Sequence, residues 1–247
     1  MHIVPAFKDC NQVSKGRGQG GLVTLWHKGI TKYVTRVDNG SNFRLLATKF
    51  SFPSSSLLVV NSYFPCDPQI DSFDDTELLT LLEDIKRVVE SSECLNVMLA
   101  GDLNSDFARQ NKFTDIVEEY LSELGLIIFW QNTDEDPNHM IQNVDFTNRH
   151  EANDNVSYSV IDHFASSRCI YNAVKEAGVL HSGENTSTHS AIYAKIVVEK
   201  LNLSVESHPR EPKVNWNKAS SQAKAHFKDD LKAKLNKIEV SDCLLEL

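Results

Sequence analysis

The 247-residue chain lacks any apolar run approaching the roughly twenty residues that a bilayer-spanning helix needs. Its start, MHIVPAFKDCNQ, has no basic stretch followed by an apolar one, so it does not read as a secretory signal. Cysteine is sparse: the five (Cys10, Cys66, Cys94, Cys169, Cys243) are odd in number, scattered and without a CxxC pair. That argues against a disulfide scaffold or zinc cluster and for a reducing, intracellular compartment, nucleus or cytoplasm. Positive charge is also short, with 25 Lys and Arg against 34 Asp and Glu for a net −9. A chain that grips phosphates normally carries at least a local excess of Lys and Arg. Such excess exists in two places. Lys8, Lys15, Arg17, Lys28, Lys32, Arg36, Arg44 and Lys49 face only Asp9 and Asp38 in residues 1–50, and the stretch Arg210 to Lys237 is basic again. Residues 67–93 between them are acidic, and no repeat of solenoid length occurs.

The content that is present fits a globular domain, at 41% hydrophobic and 24% charged. Residues 1–19 are polar, end in GRGQGG, and are expected to form a flexible lead-in, so that structure begins at Gly20. Short β-like runs follow at Gly21–His27, Tyr33–Val37, Phe43–Phe50 and Leu57–Phe64, separated by clusters such as Asp38-Asn39-Gly40-Ser41. Connections this tight suit antiparallel neighbours rather than crossovers. Leu57-Leu58-Val59-Val60 is unbroken, which places that strand between two covering layers. Leu78, Leu81, Leu82, Ile85, Val88 and Val89 mark a helix with Asp74 or Asp75 as N-cap. Leu95–Ala100 reads as a buried strand, and a second helix from Phe113 to Leu124 stops at Gly125. Strands are expected near Asn143–Thr147, Tyr158–Ser166 and His189–Val198. From about Ser207 the pattern turns polar, with Pro209, Pro212 and a narrow stripe of Phe227, Leu231 and Leu235 that suits a linker or docking helix.

Three constellations could carry chemistry. The apolar strand through Ala100 delivers Gly101-Asp102-Leu103-Asn104 just beyond its C-terminal end, where ligands of layered α/β sheets gather. There a carboxylate can activate water or ligate a metal, and an amide can stabilise a developing oxyanion; Asp and Asn also commonly just end strands. Asp162, in Ser159-Val160-Ile161-Asp162-His163-Phe164, sits within an apolar strand and is either paired with a His or Arg or turned outward at an edge. His189, in Ser187-Thr188-His189, opens the last strand and could pair with Asp162. A serine-hydrolase reading of Ser187, His189 and Asp162 lacks a GxSxG elbow.

Taken in order, these pieces resemble the endonuclease/exonuclease/phosphatase superfamily, most closely the AP-endonuclease-like domain of non-LTR (LINE-type) retrotransposons. The resemblance runs from Gly20-Gly21-Leu22-Val23-Thr24-Leu25-Trp26 through Val60-Asn61-Ser62-Tyr63-Phe64-Pro65, Gly101-Asp102-Leu103-Asn104 and Ser159-Val160-Ile161-Asp162-His163 to Ser187-Thr188-His189. It implies an α+β fold, an incomplete two-sheet β-sandwich flanked by helices of DNase I-like type. The implied domains are a lead-in at 1–19, an endonuclease-like domain lacking its first strands at 20–200, and a basic linker with a C-terminal helix at 201–247. Val214-Asn215-Trp216 resembles the segment that precedes a reverse transcriptase in such elements.

The implied activity is metal-dependent phosphodiester hydrolysis of DNA with Mg²⁺ or Mn²⁺. Asp102 would activate water and ligate the metal, Asn104 would hold a phosphate oxygen, and Tyr63 would contact the scissile phosphate. Asp162 would orient His189, which would stabilise the transition state; Thr147 and Ser187 would lie on the substrate side. Two departures bear on rate. The family's early Asn strand and its metal-ligating Glu have no counterpart before Gly20, and Thr188 stands where the family has Asp. A neutral hydroxyl is a poor replacement for a carboxylate at a Mg²⁺ site, so activity is expected to be impaired or lost. The alternative is a non-catalytic, degenerate fragment that keeps the fold and binds nucleic acid weakly at most.

Overall fold

The computed structural model describes residues 1–4, 21–38, 40, 42–66, 75–109, 111–131, 140–152, 155–182, 185, 187–197 and 220–235. The chain divides into two units, Met1–Asn202 and Leu203–Leu247. The first unit opens with a strand inside the expected lead-in. β1 (His2–Val4) pairs antiparallel with β2 (Leu22–Thr24), Ile3 opposite Val23. β2 is shorter than the expected Gly21–His27 because the chain winds into a 3-10 turn at Lys28–Tyr33, where His27 Nδ1 accepts the Gly29 N–H at 3.1 Å.

A meander follows. β3 (Val34–Val37), β4 (Leu45–Ser51) and β5 (Ser56–Tyr63) pair antiparallel in sequence, as the short connections predict. The helix α1 (Thr76–Ser91) then crosses over to β6 (Val97–Asp102), which runs parallel to β5. The second helix, α2 (Lys112–Glu123), carries an Asn111–Thr114 capping box, and the chain leaves it through Gly125 at φ +66, a left-handed position that glycine fills without strain. A short strand, β7 (Leu126–Ile128), comes next; three residues are too few to show a period. Asp75 stands at the start of α1 without a side-chain capping bond, while Asp74 lies outside the described residues.

The remaining strands depart further from expectation. Residues 143–147 form no strand; Ile141 makes a single bridge to Ala177, and pairing resumes in the hairpin of β8 (Asn148–Ala152) and β9 (Asn155–Ser159). The expected strand Tyr158–Ser166 is broken at Val160-Ile161. There the Thr147 hydroxyl accepts the N–H groups of both Ile161 and Asp162 at 3.0 Å, taking them from any ladder. Pairing restarts in β10 (Asp162–Ser167), which is followed by the six-residue α3 (Arg168–Ala173) and by β11 (Val174–Leu180) and β12 (Ala191–Ile196). β11 was hidden by Lys175, Glu176 and Gly178, which blur its apolar alternation.

The main sheet has the order β3-β4-β5-β6-β10-β7, and period-two alternation feeds cores on both faces. Leu58 and Val60 of β5 and Val97 and Leu99 of β6 point to one side, against Leu81, Ile85 and Val88 of α1 and Val117 and Leu121 of α2. Leu57 and Met98 point to the other, joining Phe129, Phe164, Ile170, Tyr171 and Val174, with Ile192 and Ala194 of the β11–β12 ribbon packed against them. The unbroken apolar strand is therefore covered on both faces, and the α+β layering is as expected. In the second unit α4 (Ser221–Leu235) is a helix whose Phe227 is 49% exposed. The side chains of Leu231 and Leu235, residues 5–20, and the segment with Pro209, Pro212 and Val214–Trp216 lie outside the described residues. Among the described residues no helix is long and apolar enough to cross a membrane.

β10 also buries His163, 1% exposed, whose Nε2 donates to the carbonyls of Ser105 (2.8 Å) and Val160 (3.0 Å) while Nδ1 has no partner. Burial holds this imidazole neutral and its pKa down at about 4. The folded-state value lies below the unfolded 6.5, so the stabilisation is intact above pH 6.5 and is lost as pH falls toward 4. The loss expected from this one group is about 3 kcal/mol. Urea titrations of the wild type and His163→Gln, near neutrality and near pH 4.5, should show the steeper acid loss in the wild type; equal losses would contradict it.

Candidate active site

Register brings the candidate residues together. Asp102 ends β6 directly opposite Tyr63 of parallel β5 and opposite Asp162 of antiparallel β10, so three side chains from distant parts of the chain meet at one end of the sheet's central strands. Gly101 makes the close approach possible. At φ +146, a Cβ there would lie 1.9 Å from the Ser62 carbonyl oxygen. Beyond Asp102 the ladder continues for a step: Phe64 N–H donates to Asp102 O and Leu103 N–H to Ile161 O, both at 2.9 Å. The chain then turns through Asn104 at φ +48, whose N–H donates to Asp102 Oδ1 at 3.0 Å.

His189 enters from the segment before β12, anchored by a backbone bridge to Asn148. Its Nδ1 donates to Asp162 Oδ2 at 2.8 Å, its N–H donates to Ser187 Oγ at 3.1 Å, and its carbonyl accepts from Asn185 Nδ2 at 2.5 Å. Asp162 thus takes the paired alternative of the two left open by its sequence context. The ligating atoms of Asp102, Asp162 and His189 lie within 4.8 Å of one another. Asp162 and His189 line an open cleft of about 1010 Å³ together with Asn61, Phe164, Val23 and Ile192.

The other candidates are placed differently. Asn104 Nδ2 donates to the Phe64 carbonyl at 2.9 Å, so the amide ties the end of β5 to the turn. Thr147 is fully buried beneath the site, its hydroxyl holding the Asp162 backbone and its carbonyl accepting the Ser190 N–H at 2.7 Å. Thr147→Val would strand two buried N–H donors and should cost about 1–3 kcal/mol in chemical denaturation. A cost near zero would show that these bonds do not hold Asp162. Ser187 and Thr188 are exposed beside His189, and Thr188 meets Arg149 through its carbonyl (2.8 Å).

Two supporting residues escaped the sequence reading. Trp130 Nε1 donates to the Asp162 carbonyl at 3.0 Å; it stands in the turn after β7, at the end of the apolar run Leu126–Trp130. Arg44 is buried, paired with Glu77 at 3.0 Å, lies 5.0 Å from the Tyr63 ring centroid and donates to the Tyr63 carbonyl. The buried-charge argument applied to Asp162 finds Arg44 equally well, since it lies within the apolar run Phe43–Phe50.

The endonuclease domain of TRAS1, a telomere-specific non-LTR retrotransposon, superposes with a TM-score of 0.51 at 18% identity, over 68% of this chain and 69% of that one. The chain has the fold of the endonuclease/exonuclease/phosphatase superfamily. Two further structures in that fold are the 3′ phosphatase NExo from Neisseria bound to a product DNA hairpin and an AP endonuclease from Archaeoglobus fulgidus. Their TM-scores are 0.49 and 0.47, at 17% and 14% identity, each over 63% of this chain and 65% of the other. The chain therefore spans about two thirds of the length of these structures. No protein-family model and no curated protein sequence matches it.

The electrostatics of the site are distinctive. Burial, then the neighbouring Asp162 charge, push the Asp102 carboxyl up to about 6, against the opposing Asn104 N–H and His189. The Asp162 hydrogen bond holds His189 above its usual value, so it carries positive charge more readily. Burial and the Cys66 thiol raise the Tyr63 phenol, which stays protonated. The donor set fits a divalent cation. Two carboxylates converge and supply the charged oxygen ligands that a hard divalent cation prefers. Among the described residues, Asp102 and Asp162 would hold it, and Asp162 is already shared with His189.

Proposed function

We propose that this chain is a retrotransposon-type endonuclease-like domain that hydrolyses DNA phosphodiester bonds with a divalent cation, Mg²⁺ or Mn²⁺. Its rate is kept low by a sparse set of metal ligands. The observation that carries the reading is the convergence of Asp102, Asp162 and hydrogen-bonded His189, whose ligating atoms lie within 4.8 Å of one another. The likeness to the TRAS1 domain, an endonuclease, supports DNA as the substrate.

Asp102 stands at the end of β6, where its carboxylate would take a proton from water as the water oxygen bonds to phosphorus, the ester P–O bond breaks and the leaving oxygen takes up a proton from solvent. His189 has Nδ1 committed to Asp162, so Nε2 is the nitrogen left for a phosphoryl oxygen, and the carboxylate favours its charged form as negative charge develops. The Tyr63 phenol, held protonated, supplies a further donor opposite Asp102. A divalent cation on Asp102 and Asp162 would neutralise charge on the phosphoryl oxygens. Asn104 can reach a phosphate oxygen only by giving up its bond to Phe64.

Thr188 fits a slow rate, because its exposed hydroxyl brings no charge to the cluster. Nicking of supercoiled plasmid by the purified chain, with Mg²⁺ or Mn²⁺ and with EDTA, tests the proposal. Slow cation-dependent nicking that disappears in Asp102→Ala supports it; nicking unchanged in that variant overturns it.

A further inference from the structure

Outside the catalytic cluster, Tyr158 of β9, Phe146 and His181 form a contiguous row of rings. The Tyr158 and Phe146 centroids are 4.8 Å apart with the rings tilted, and Phe146 stacks on His181 at 4.3 Å and 29°. Tyr158 is 49% exposed and the His181 side chain 39%. His181 is fixed on both nitrogens, with Nε2 bonded to Asp145 Oδ1 and Nδ1 to Ser190 Oγ, each at 3.0 Å. Ser190 follows His189 in sequence and lines the same cleft. The row therefore stands at the base of the β8–β9 hairpin, which joins the rest of the fold at the Asn148–His189 bridge.

A small aromatic cluster often serves only to brace a hairpin. Two features point further here. The end ring is held by hydrogen bonds on both nitrogens as well as by its stack on Phe146, and half of Tyr158 is left to solvent. The surrounding guanidinium charge is balanced: Arg149 is paired with Glu151 and Arg109 with Asp106 at 3.2 Å, and Asp145 adds a further carboxylate. A balanced patch has little to offer a phosphate backbone, whereas an aromatic face binds any nucleobase. A base inside a duplex has no free face, so the matching ligand is an unpaired one.

We infer that Tyr158, Phe146 and His181 form a stacking platform for an unpaired nucleobase of the DNA strand lying in the cleft. The inference rests on the nuclease reading for the identity of the ligand and adds a preference for single-stranded or locally opened DNA.

The test is fluorescence anisotropy of the full chain in EDTA with a fluorescein-labelled single-stranded oligonucleotide and with its blunt duplex. Tyr158→Ala should weaken single-strand binding about tenfold and duplex binding by less than about twofold, and Tyr158→Trp should restore it. The slope of log Kd against log salt should be the same in wild type and variant, because no phosphate contact is lost. Equal losses on both probes, a shallower salt slope, failure of Trp to restore, or no single-strand binding by the wild type would each overturn the platform. Plasmid nicking is scored separately. Tyr158-dependent binding without nicking would sink the nuclease proposal alone; nicking with Tyr158-independent binding would sink the platform alone.

Discussion

Gly101→Ala is expected to prevent the first unit from folding rather than merely to slow its chemistry. The new methyl group would sit 1.9 Å from the Ser62 carbonyl oxygen, on the backbone of the adjacent, fully packed β5, and φ of +146 is a region that alanine avoids. Backbone on both sides is held by the β5–β6 register, so neither partner can retreat without breaking ladder bonds that also place Tyr63 and Asp102. Strain of this kind falls in the class costing more than about 4 kcal/mol, against a total stability of roughly 5–15 kcal/mol for a typical domain. Circular dichroism melts would measure it, and a variant melting within about 4 °C of the wild type would contradict the close approach.

His189→Ala should lower the nicking rate roughly a hundred- to a thousandfold, the usual effect of removing one donor aimed at developing charge. The loss belongs to the chemical step, so DNA affinity should hold in the same variant. Asp162→Asn acts on both the imidazole and the cation, since Asp162 is also one of the two carboxylates that would hold the metal. The amide can still lie beside His189 Nδ1 but no longer raises its pKa, so activity should fall while the fold persists. An His189→Ala protein that nicks at the wild-type rate would remove the imidazole from the mechanism.

The residues that were legible in the sequence share one trait: a local contrast marked them. Asp102 follows an apolar run and a glycine, and Asp162 interrupts an apolar run, which forces a partner that proves to be His189. The meander of β3 to β5 was legible because its connections are short, and α1 and α2 because their apolar stripes are long. What escaped depends on contacts between distant segments. The break between β9 and β10 is made by the Thr147 hydroxyl, which nothing near Val160 announces. Trp130 acts on Asp162 from the turn after β7, and Lys175 and Glu176 interrupt the apolar alternation of β11. β1 is three residues long, and its pairing with β2 is a tertiary fact.

The central claim is that Asp102 is the base of a cation-dependent phosphodiesterase site. The direct measurement is conversion of supercoiled to open-circular plasmid by the wild type and Asp102→Ala, side by side, across a Mg²⁺ and Mn²⁺ titration with an EDTA control. The expected result is slow conversion by the wild type that rises with cation and vanishes in the variant and in EDTA. Conversion that persists in Asp102→Ala, or none by the wild type at any cation concentration, would contradict the account.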